Sequence, residues 1–414
     1  MYVYEPLKFV ESIAFPRFGG TAEEKRAAEI IKAETEKMGG CAVLEEFTVP
    51  ASEYKSHCAK VIAPFEMDLN VVPFQCCGTI NKDLKLMYAE RCVEMDLIGI
   101  KDLSDTVVMI NQLNIDAYKL LAKLNAAAIF VVMGKYYHET NADAGMYERP
   151  AREKYLEYAT IPTFFIHARE ATDILRNGAE MLHVELDQVD GTTTSQNVVA
   201  TIEGTELPDE HIVVTGHYDS LTLAPGAWDN ATGSAAVMGI YNYFLANKPK
   251  RTMHFIWCGT EEQGLLGSKG WIEKHEDIMD KVKFCFNFDM CGTILGPNNV
   301  FVTGTKELED FAELFCKEQG YSAQFRKGVH SSDSAPFADK GVPGIGLSRG
   351  TQTSEIHTSR DTMFPLGEKQ LKMNIDFANK MISRVVNSAV LPVEKGMPDN
   401  IKKELDKYFQ RDKQ

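Results

Sequence analysis

The second half of the chain alternates short apolar segments with amphipathic helical patterns, and this alternation limits the folds that it can form. Strands are predicted at 212–215, 253–258, 284–288 and 345–347. Helices are predicted between and after them, at 232–245, 265–275, 306–319 and 367–389. Strands this short and apolar are typical of a sheet whose two faces are both covered. The pattern therefore predicts an α/β fold, with a mostly parallel central sheet and helices on both faces.

The length of the chain indicates more than one compact region. A chain of 414 residues exceeds the usual size of one hydrophobic core. A first helix is predicted at 21–39, beginning with a capping box of Thr21 and Glu24. A small β/α unit follows, with strands predicted at 106–110, 128–133, 161–166 and 181–186 and helices at 117–124 and 169–177. A polar, threonine-rich link that leads into a strand is predicted at 191–204. We therefore expect a main domain formed by 1–55 and 191–414, with an insertion at 56–190.

Composition and charge exclude some classes of partner. The chain has 59 acidic and 44 basic residues and a net charge of −15, which disfavours nucleic acid and anionic membranes. It shows no leader with basic and apolar regions and no run of 18 apolar residues. Its nine cysteines form no C-x-x-C pair, so thiolate zinc and redox chemistry are not expected. We expect a soluble, cytoplasmic protein, although a trimmed export signal would leave the same sequence. The oligomeric state stays open.

Polar side chains follow the predicted strands at the points where the strands end. The strand ends contribute His217, Asp219, Glu261, Glu262 and Asp289, and two loops add Asp229 and His357. Because open α/β sheets place their sites at the carboxyl ends of strands, we expect these side chains to converge. Each has an ordinary alternative, such as a structural histidine, a helix N-cap at Asp229 or solvated surface charge. Their recurrence at successive strand ends makes coincidence the weaker interpretation.

The donor atoms of this group indicate a metal site. Imidazole nitrogen and carboxylate oxygen without cysteine suit Zn²⁺ in a catalytic site, and Mn²⁺ or Co²⁺ fit the same donors. The number of donors suits two ions, because a two-metal site needs a bridging carboxylate, a histidine and another carboxylate for each ion, and a carboxylate to accept a proton. The sequence therefore predicts two Zn²⁺ at one edge of the sheet.

The same segments resemble a known family. The motifs, between residues 216 and 362, are GHYDS, WDN, TEEQGLLGS, NFDM and IHTSRDT. They resemble the di-zinc aminopeptidase family that includes bacterial leucyl aminopeptidases, aminopeptidase Y and glutamate carboxypeptidase. NAAAIFVVMG and ATIPTFFIHAREA resemble the protease-associated domain that many members carry as an insertion. The resemblance implies a mixed α/β/α zinc-peptidase sandwich with a small inserted β/α domain of the protease-associated type.

The resemblance also implies a role for each strand-end residue. The metal ligands become His217 and Asp289 for one zinc, Glu262 and His357 for the other, and Asp229 as the bridge. Glu261 becomes the general base. Asp219 becomes the carboxylate that orients the ring of His217, which metal-binding histidines commonly require. One glutamate of the adjacent pair would thus bind metal while its neighbour transfers protons, because adjacent residues of extended backbone point in different directions.

Two further expectations come from the resemblance. A cis peptide bond is implied between Asp229 and Asn230. The segment 330–341 resembles the family's loop on the substrate side, but Ser334 stands where a histidine is common. Asp333 in this loop is either part of the pocket wall or a helix N-cap.

The implied reaction is hydrolysis of the N-terminal peptide bond of a peptide with a free N-terminus, through a metal-bridging water activated by Glu261. A carboxypeptidase or dipeptidase of the glutamate carboxypeptidase type would share every metal ligand, with basic candidates for its pocket at Arg326, Lys327 and Arg349. A glutaminyl-cyclase-like enzyme and a catalytically dead, receptor-like binding module stay as weaker alternatives, because the ligands of the second metal are present. The preferred N-terminal side chain cannot be predicted, because loops build specificity pockets.

Overall fold

The computed structural model describes residues 3–350 and 355–411. The chain divides into two compact units. The main unit comprises Met1–Val49 and Thr194–Gln414, and the inserted unit is Pro50–Thr193. The insertion predicted at 56–190 falls inside the second of these. Its likeness to a protease-associated domain stays a prediction.

The helices and strands of the described residues are numbered along the chain. The helices are α1 Pro6–Ile13, α2 Ala22–Lys37, α3 Ile115–Lys123, α4 Asn141–Ala144, α5 Glu153–Leu156, α6 Ala168–Arg176, α7 Thr232–Ala246, α8 Leu266–Lys274, α9 Lys306–Gln319, α10 Ser334–Asp339, α11 Glu368–Val386 and α12 Asp399–Tyr408. The strands are β1 Val43–Ala63, β2 Met67–Leu69, β3 Val71–Gln75, β4 Ile80–Tyr88, β5 Thr106–Ile110, β6 Ala128–Met133, β7 Arg149–Pro150, β8 Thr163–His167, β9 Met181–Ile202, β10 Leu207–His217, β11 Arg251–Cys258, β12 Val282–Phe288, β13 Asn298–Thr303, β14 Ala323–Lys327 and β15 Gly344–Arg349. None of these helices is long and apolar enough to cross a membrane.

The main unit contains a mixed sheet with the strand order β14-β13-β15-β12-β10-β11-β9. Strand β10 runs parallel to both of its neighbours, β11 and β12, and β12 runs parallel to β15. Strands β13 and β14 are parallel to each other, whereas β13 is antiparallel to β15 and β9 is antiparallel to β11. The predicted fold class, a mixed and mostly parallel sheet, is confirmed.

The apolar runs of the central strands are explained by burial on both faces. In β10, Ile212 and Val214 belong to a large core that includes residues of α2, α7 and α11. Val213, between them, belongs to a second core with Trp271 of α8 and Phe337 of α10. Because successive strand residues point to opposite faces, both faces of the sheet are covered by helices. Each such large side chain that leaves water stabilises the fold by about 1.5–3 kcal/mol.

The inserted unit has its own sheet and core. Its strands are ordered β9-β4-β5-β6-β8-β3-β7, and β4, β5, β6 and β8 are parallel. Strand β9 is antiparallel to β4, and β3 is antiparallel to β8 but parallel to β7. The core contains the apolar side chains of β5, β6 and β8 together with Leu121 of α3 and Ile174 of α6. The strands predicted at 106–110 and 128–133 are confirmed with the same bounds.

The predicted link at 191–204 is wrong. Strand β9 continues without a break from Met181 to Ile202, so the three threonines lie within it. Threonine is β-branched and favours extended backbone. The three side chains are largely exposed, so these polar residues belong to a strand in contact with solvent and not to a loop. The sequence pattern also missed β1, β13 and β14. Strand β1 alternates between exposed and buried over only part of its length, β13 is almost wholly buried, and β14 has no buried residue.

Candidate metal centre

The sheet brings the predicted ligands together at the carboxyl ends of its parallel strands. His217 is the last residue of β10, Glu262 follows β11 and Asp289 follows β12. Two groups of ligand atoms result, His217 with Asp229 and Asp289, and Asp229 with Glu262 and His357. Within each group the ligand atoms lie within 4.8 Å of one another. The structure therefore places all five predicted metal ligands in two adjoining groups.

Asp229 belongs to both groups through different oxygen atoms. Its Oδ1 lies 3.2 Å from Nε2 of His217, and its Oδ2 lies 3.1 Å from Nε2 of His357. The other distances from these nitrogens are 3.6 Å to Oδ1 of Asp289 and 3.2 Å to Oε1 of Glu262. Nitrogen and oxygen ligands about 2.0–2.1 Å from a tetrahedral zinc stand about 3.3 Å apart. The spacing of the side chains therefore fits one such ion in each group.

The charge of the site also favours the binding of metal cations. Oδ1 of Asp289 is buried and accepts no hydrogen bond from the described part of the chain. Burial opposes a positive charge on His217 and His357, yet the surrounding carboxylates, first of all Glu261 and Glu262 respectively, raise the pKa of both imidazoles well above its usual range. The pocket thus holds an excess of negative charge that bound cations relieve.

Glu261 lies beside these groups without being a member of either. Burial of its carboxylate raises its pKa well above the usual value, an effect that His217 partly offsets and Glu262 reinforces. The two neighbouring glutamates therefore occupy different positions, as a division between a ligand and a proton carrier requires.

Asp219 fixes the backbone that carries both glutamates. Its Oδ1 accepts a hydrogen bond from the backbone N–H of Glu261 at 3.0 Å, and its Oδ2 accepts one from the N–H of Glu262 at 3.2 Å. Its distance of 3.4 Å from Nδ1 of His217 is long for a hydrogen bond. The orienting role predicted for Asp219 toward His217 stays a prediction. The hydrogen bonds that Asp219 accepts from the backbone of the two glutamates were not predicted from the sequence.

The residues before and after the shared carboxylate are also fixed. The peptide bond between Asp229 and Asn230 is cis, which confirms that expectation. Asn230 donates to the backbone carbonyl of Phe288 at 2.9 Å. Asp361 accepts hydrogen bonds from the backbone N–H groups of Trp228 and Asp229 at 2.8 and 3.0 Å. Asp361 was not predicted to act in the site, although it lies within the IHTSRDT motif.

Comparison with known proteins agrees with this geometry. Residues 197–381 match the family model of peptidase family M28. The matched segment, somewhat less than half of the chain, is similar to that family. Leucine aminopeptidase 2 of Trichophyton equinum is 31% identical over 172 residues, which cover 38% of this chain and 34% of that protein. Aminopeptidase YwaD of Bacillus subtilis is 26% identical over 224 residues, or 51% and 48% of the two chains. The chain thus spans only a third to a half of the length of these curated relatives.

Solved structures extend the similarity to nearly the whole chain. The aminopeptidase from Aneurinibacillus sp. strain AM-1 matches with a TM-score of 0.74 and 21% identity, covering 94% of this chain and 95% of that one. BSAP, a zinc aminopeptidase from Bacillus subtilis, matches with a TM-score of 0.76 and 18% identity, covering 96% and 98%. At these identities the comparison shows a shared fold.

Asp333 lies in the interior of the main unit. It precedes α10, but its side chain makes no capping hydrogen bond to that helix, so the N-cap interpretation is wrong. Burial raises its pKa to about 6, with an opposing effect of His217. A place in the pocket wall stays a prediction.

The three basic residues considered for a carboxypeptidase pocket have other partners. Arg349 donates to the backbone carbonyls of Thr293 and Ile294 and to the side chain of Asn298. Lys327 lies 2.7 Å from a carboxylate oxygen of Glu309, and Arg326 lies over the ring of Phe301. Since each is engaged, none is positioned by the structure as a free anchor for a C-terminal carboxylate.

Arg17 is a buried cation near the site, and the sequence patterns did not predict its role. It is completely buried, and burial lowers its pKa to about 10. Its guanidinium donates to the backbone carbonyls of Phe15 at 3.0 Å, Pro225 at 2.6 Å and Gly226 at 2.8 Å, and also to that of Tyr218. It thereby joins the loop after β10 to the loop that leads to Asp229. The segment FPRFGG has no periodicity or motif that could reveal this.

Glu24 supports the loop that carries the two glutamates. Its carboxylate accepts hydrogen bonds from the backbone N–H of Gly20 at 2.7 Å, the hydroxyl of Ser195 at 2.7 Å and the hydroxyl of Thr260 at 3.1 Å. Burial raises its pKa to about 8, and Asp219 adds to the effect. A residue predicted only as part of a helix cap thus holds Thr260, directly before Glu261.

The raised pKa of Glu24 predicts a pH-dependent stability. Because the folded protein binds this proton more tightly than the unfolded chain, the stabilisation from neutral Glu24 is complete below about pH 4.5 and is lost as the pH rises to about 8. The Glu24→Gln variant stays neutral at every pH. The free energy of unfolding of the variant minus that of the wild type should therefore increase by up to about 1.4 kcal/mol per pH unit across that window. Urea unfolding at pH 5 and pH 8 tests this. An equal difference at both values would contradict it.

Proposed function

We propose that the chain is a di-zinc metallo-aminopeptidase that hydrolyses the N-terminal peptide bond of peptides. The observation that carries this proposal is the placement of the two oxygens of Asp229, one toward each group of ligand atoms. A single-metal enzyme has no need of a carboxylate shared in this way. Glu261, in neither group, supplies the proton acceptor that two-metal hydrolysis also requires.

The distances between the ligand atoms assign each side chain to one of the two zinc ions. His217 and Asp289 would hold one zinc, Glu262 and His357 the other, and Asp229 both. When bound, the two ions would polarise the scissile carbonyl and lower the pKa of a water molecule between them. Mn²⁺ or Co²⁺ suit the same donors.

Glu261 carries the proton in this proposal. It takes a proton from the attacking water and returns it to the leaving amine, so that the carboxylate is regenerated in each cycle. Asp219 keeps Glu261 in place through the backbone N–H.

The direction of cleavage rests on two supports. The two relatives described above are named as aminopeptidases, and the two solved structures are those of aminopeptidases, one of them a zinc aminopeptidase. The basic residues that a carboxypeptidase would need are engaged elsewhere. A peptide with a free N-terminus is therefore the proposed substrate.

Blocking each end of a test peptide checks the direction. Release of the first residue should stop when the N-terminus is acetylated, because the free amine is the recognised group. It should continue when the C-terminus is amidated. Chromatographic separation of the products measures both results. The opposite pattern would assign the site to a carboxypeptidase.

The zinc content checks the number of ions. Protein dialysed against a weak chelator should retain two zinc ions per chain, because each group offers three ligand atoms within 4.8 Å of one another. Asp289→Ala should retain one, and Asp229→Ala should lose affinity at both positions, since it removes the shared ligand. Elemental analysis measures the content. A single ion per wild-type chain with full activity would contradict the proposal.

A further inference from the structure

A third group of ligand side chains lies within the inserted unit. Cys58 comes from β1, and His183 and Glu185 come from β9. One ligand atom of each lies within 4.8 Å of the other two. His183 and Glu185 share a face of the sheet because they are two residues apart in a strand. We propose that Cys58, His183 and Glu185 bind a Zn²⁺ ion in the inserted unit, a site independent of the proposed peptidase function.

Asp83 prepares His183 for this role. Strand β4 pairs with β9 so that Asp83 lies directly opposite His183, and its Oδ1 is 2.8 Å from Nδ1 of the ring. A carboxylate on Nδ1 holds the proton there and leaves the lone pair on Nε2. That Nε2 lies 4.0 Å from Oε2 of Glu185. Metal-binding histidines are usually held by such a carboxylate, so the unused nitrogen is presented to the ion.

Glu185 is also held by a neighbour. The hydroxyl of Ser56 donates to its Oε1, which leaves Oε2 on the side of His183. Ser56 and Cys58 are two residues apart on β1 and therefore share a face as well. The site is thus built from three strands, with two of its three ligands oriented by side chains that do not bind the ion.

The chemistry of the group suits zinc. Thiolate, imidazole and carboxylate are its common protein ligands, and three of them leave a fourth position for water. Cys58 is exposed and the other two side chains are partly exposed, so solvent reaches the site. Burial raises the pKa of the Cys58 thiol, and the carboxylates of Glu185 and Asp68 add to this effect. On binding, the zinc–sulfur bond replaces the S–H bond and the proton leaves to solvent.

Cobalt provides a probe that reports only this site. Co²⁺ bound by a thiolate gives a near-ultraviolet charge-transfer band that nitrogen and oxygen ligands do not give. The proposed peptidase ligands include no cysteine. The band therefore tests only the site in the inserted unit, and the peptidase activity tests only the proposed function. Metal-free, full-length protein titrated with Co²⁺ should show the band, saturating at one thiolate-bound ion per chain. Absence of the band would overturn the proposal.

Matched variants assign the band to its residues. Cys58→Ser should abolish it, whereas Cys41→Ser, at the other exposed cysteine, should leave it unchanged. Asp83→Asn should lower the Co²⁺ affinity by about 10–100-fold while the band at saturation stays the same, because the histidine is less well oriented but the thiolate still binds. An unchanged affinity would contradict the positioning role of Asp83, and a band that survives in Cys58→Ser would contradict the site.

Alkylation of the wild-type protein gives a second test that needs no variant. Excess Zn²⁺ should slow the reaction of iodoacetamide with Cys58 by at least about tenfold, because a bound and shielded thiolate is a poorer nucleophile. Cys41 should react at an unchanged rate. Peptide mapping measures both rates in one sample. Equal rates for Cys58 with and without Zn²⁺ would show that the group is an ordinary surface cluster.

Discussion

Glu261→Gln is expected to lower kcat by about 10²–10⁴-fold while KM changes little and both metal ions stay bound. Glutamine keeps the size and polarity of the side chain but cannot accept the proton of the attacking water. Because Glu261 belongs to neither group of ligand atoms, its loss leaves every ligand in place. Steady-state kinetics and elemental analysis of the same preparation measure the two parts of this result.

The matched control is the neighbouring residue. Glu262 supplies Oε1 at 3.2 Å from Nε2 of His357, so Glu262→Gln should weaken one metal position and lose one ion. Excess zinc should restore part of its activity by mass action, whereas it should not restore Glu261→Gln. If Glu261→Gln loses metal while Glu262→Gln keeps both ions and loses only rate, the two roles are reversed. Near-normal activity of both variants would mean that the pair is only surface charge.

Arg17→Met is expected to cost about 3–5 kcal/mol of the free energy of unfolding. Methionine has a similar length and fills the space, but it removes the guanidinium donor from four backbone carbonyls, of which that of Gly226 also accepts from the N–H of Ala231. Arg17→Lys should cost less, because it restores the charge without the planar fork that reaches several carbonyls at once. Urea denaturation followed by tryptophan fluorescence measures both.

This probe is specific to the main unit, because all three tryptophans of the chain, Trp228, Trp257 and Trp271, belong to it. The matched control is Arg26→Met on the exposed face of α2. Its only described interaction is with the ring of Phe15, so it should cost no more than about 1 kcal/mol. A loss for Arg17→Met no larger than that of Arg26→Met would contradict the structural role of the buried cation.

The fold class could be predicted because its signal is local. Val213 and Val214 of β10 face two different cores, so the middle of this strand is apolar on both faces and its apolar run at 212–214 is visible in the sequence. The ends of such strands were equally visible, since His217 and Asp289 interrupt apolar runs. Their convergence then follows from the parallel arrangement of β10 and β12. The roles of these residues in binding and proton transfer stay predictions.

What could not be predicted depends on contacts between distant segments. Arg17, Glu24 and Asp361 bond to backbone or hydroxyl groups, which carry no sequence signature. Cys58 and His183 come together only through the pairing of strands far apart in the chain, and the missing C-x-x-C pattern argued against thiolate zinc. The threonines of β9 were predicted as a link for another reason. The polar residues of a strand in contact with solvent resemble those of a loop.

The contacts of Arg17 impose an order on the folding of the newly made chain. Arg17 lies 208 residues before Pro225, and the whole inserted unit is synthesised between them. At about 5–20 residues per second, the ribosome takes about 10–40 s to supply that partner after Arg17 has been made. The inserted unit has its own core and can fold during this interval. Until then the apolar faces of α1 and α2 stay uncovered, so residues 1–49 are exposed to chaperones and proteases for longer than the inserted unit is.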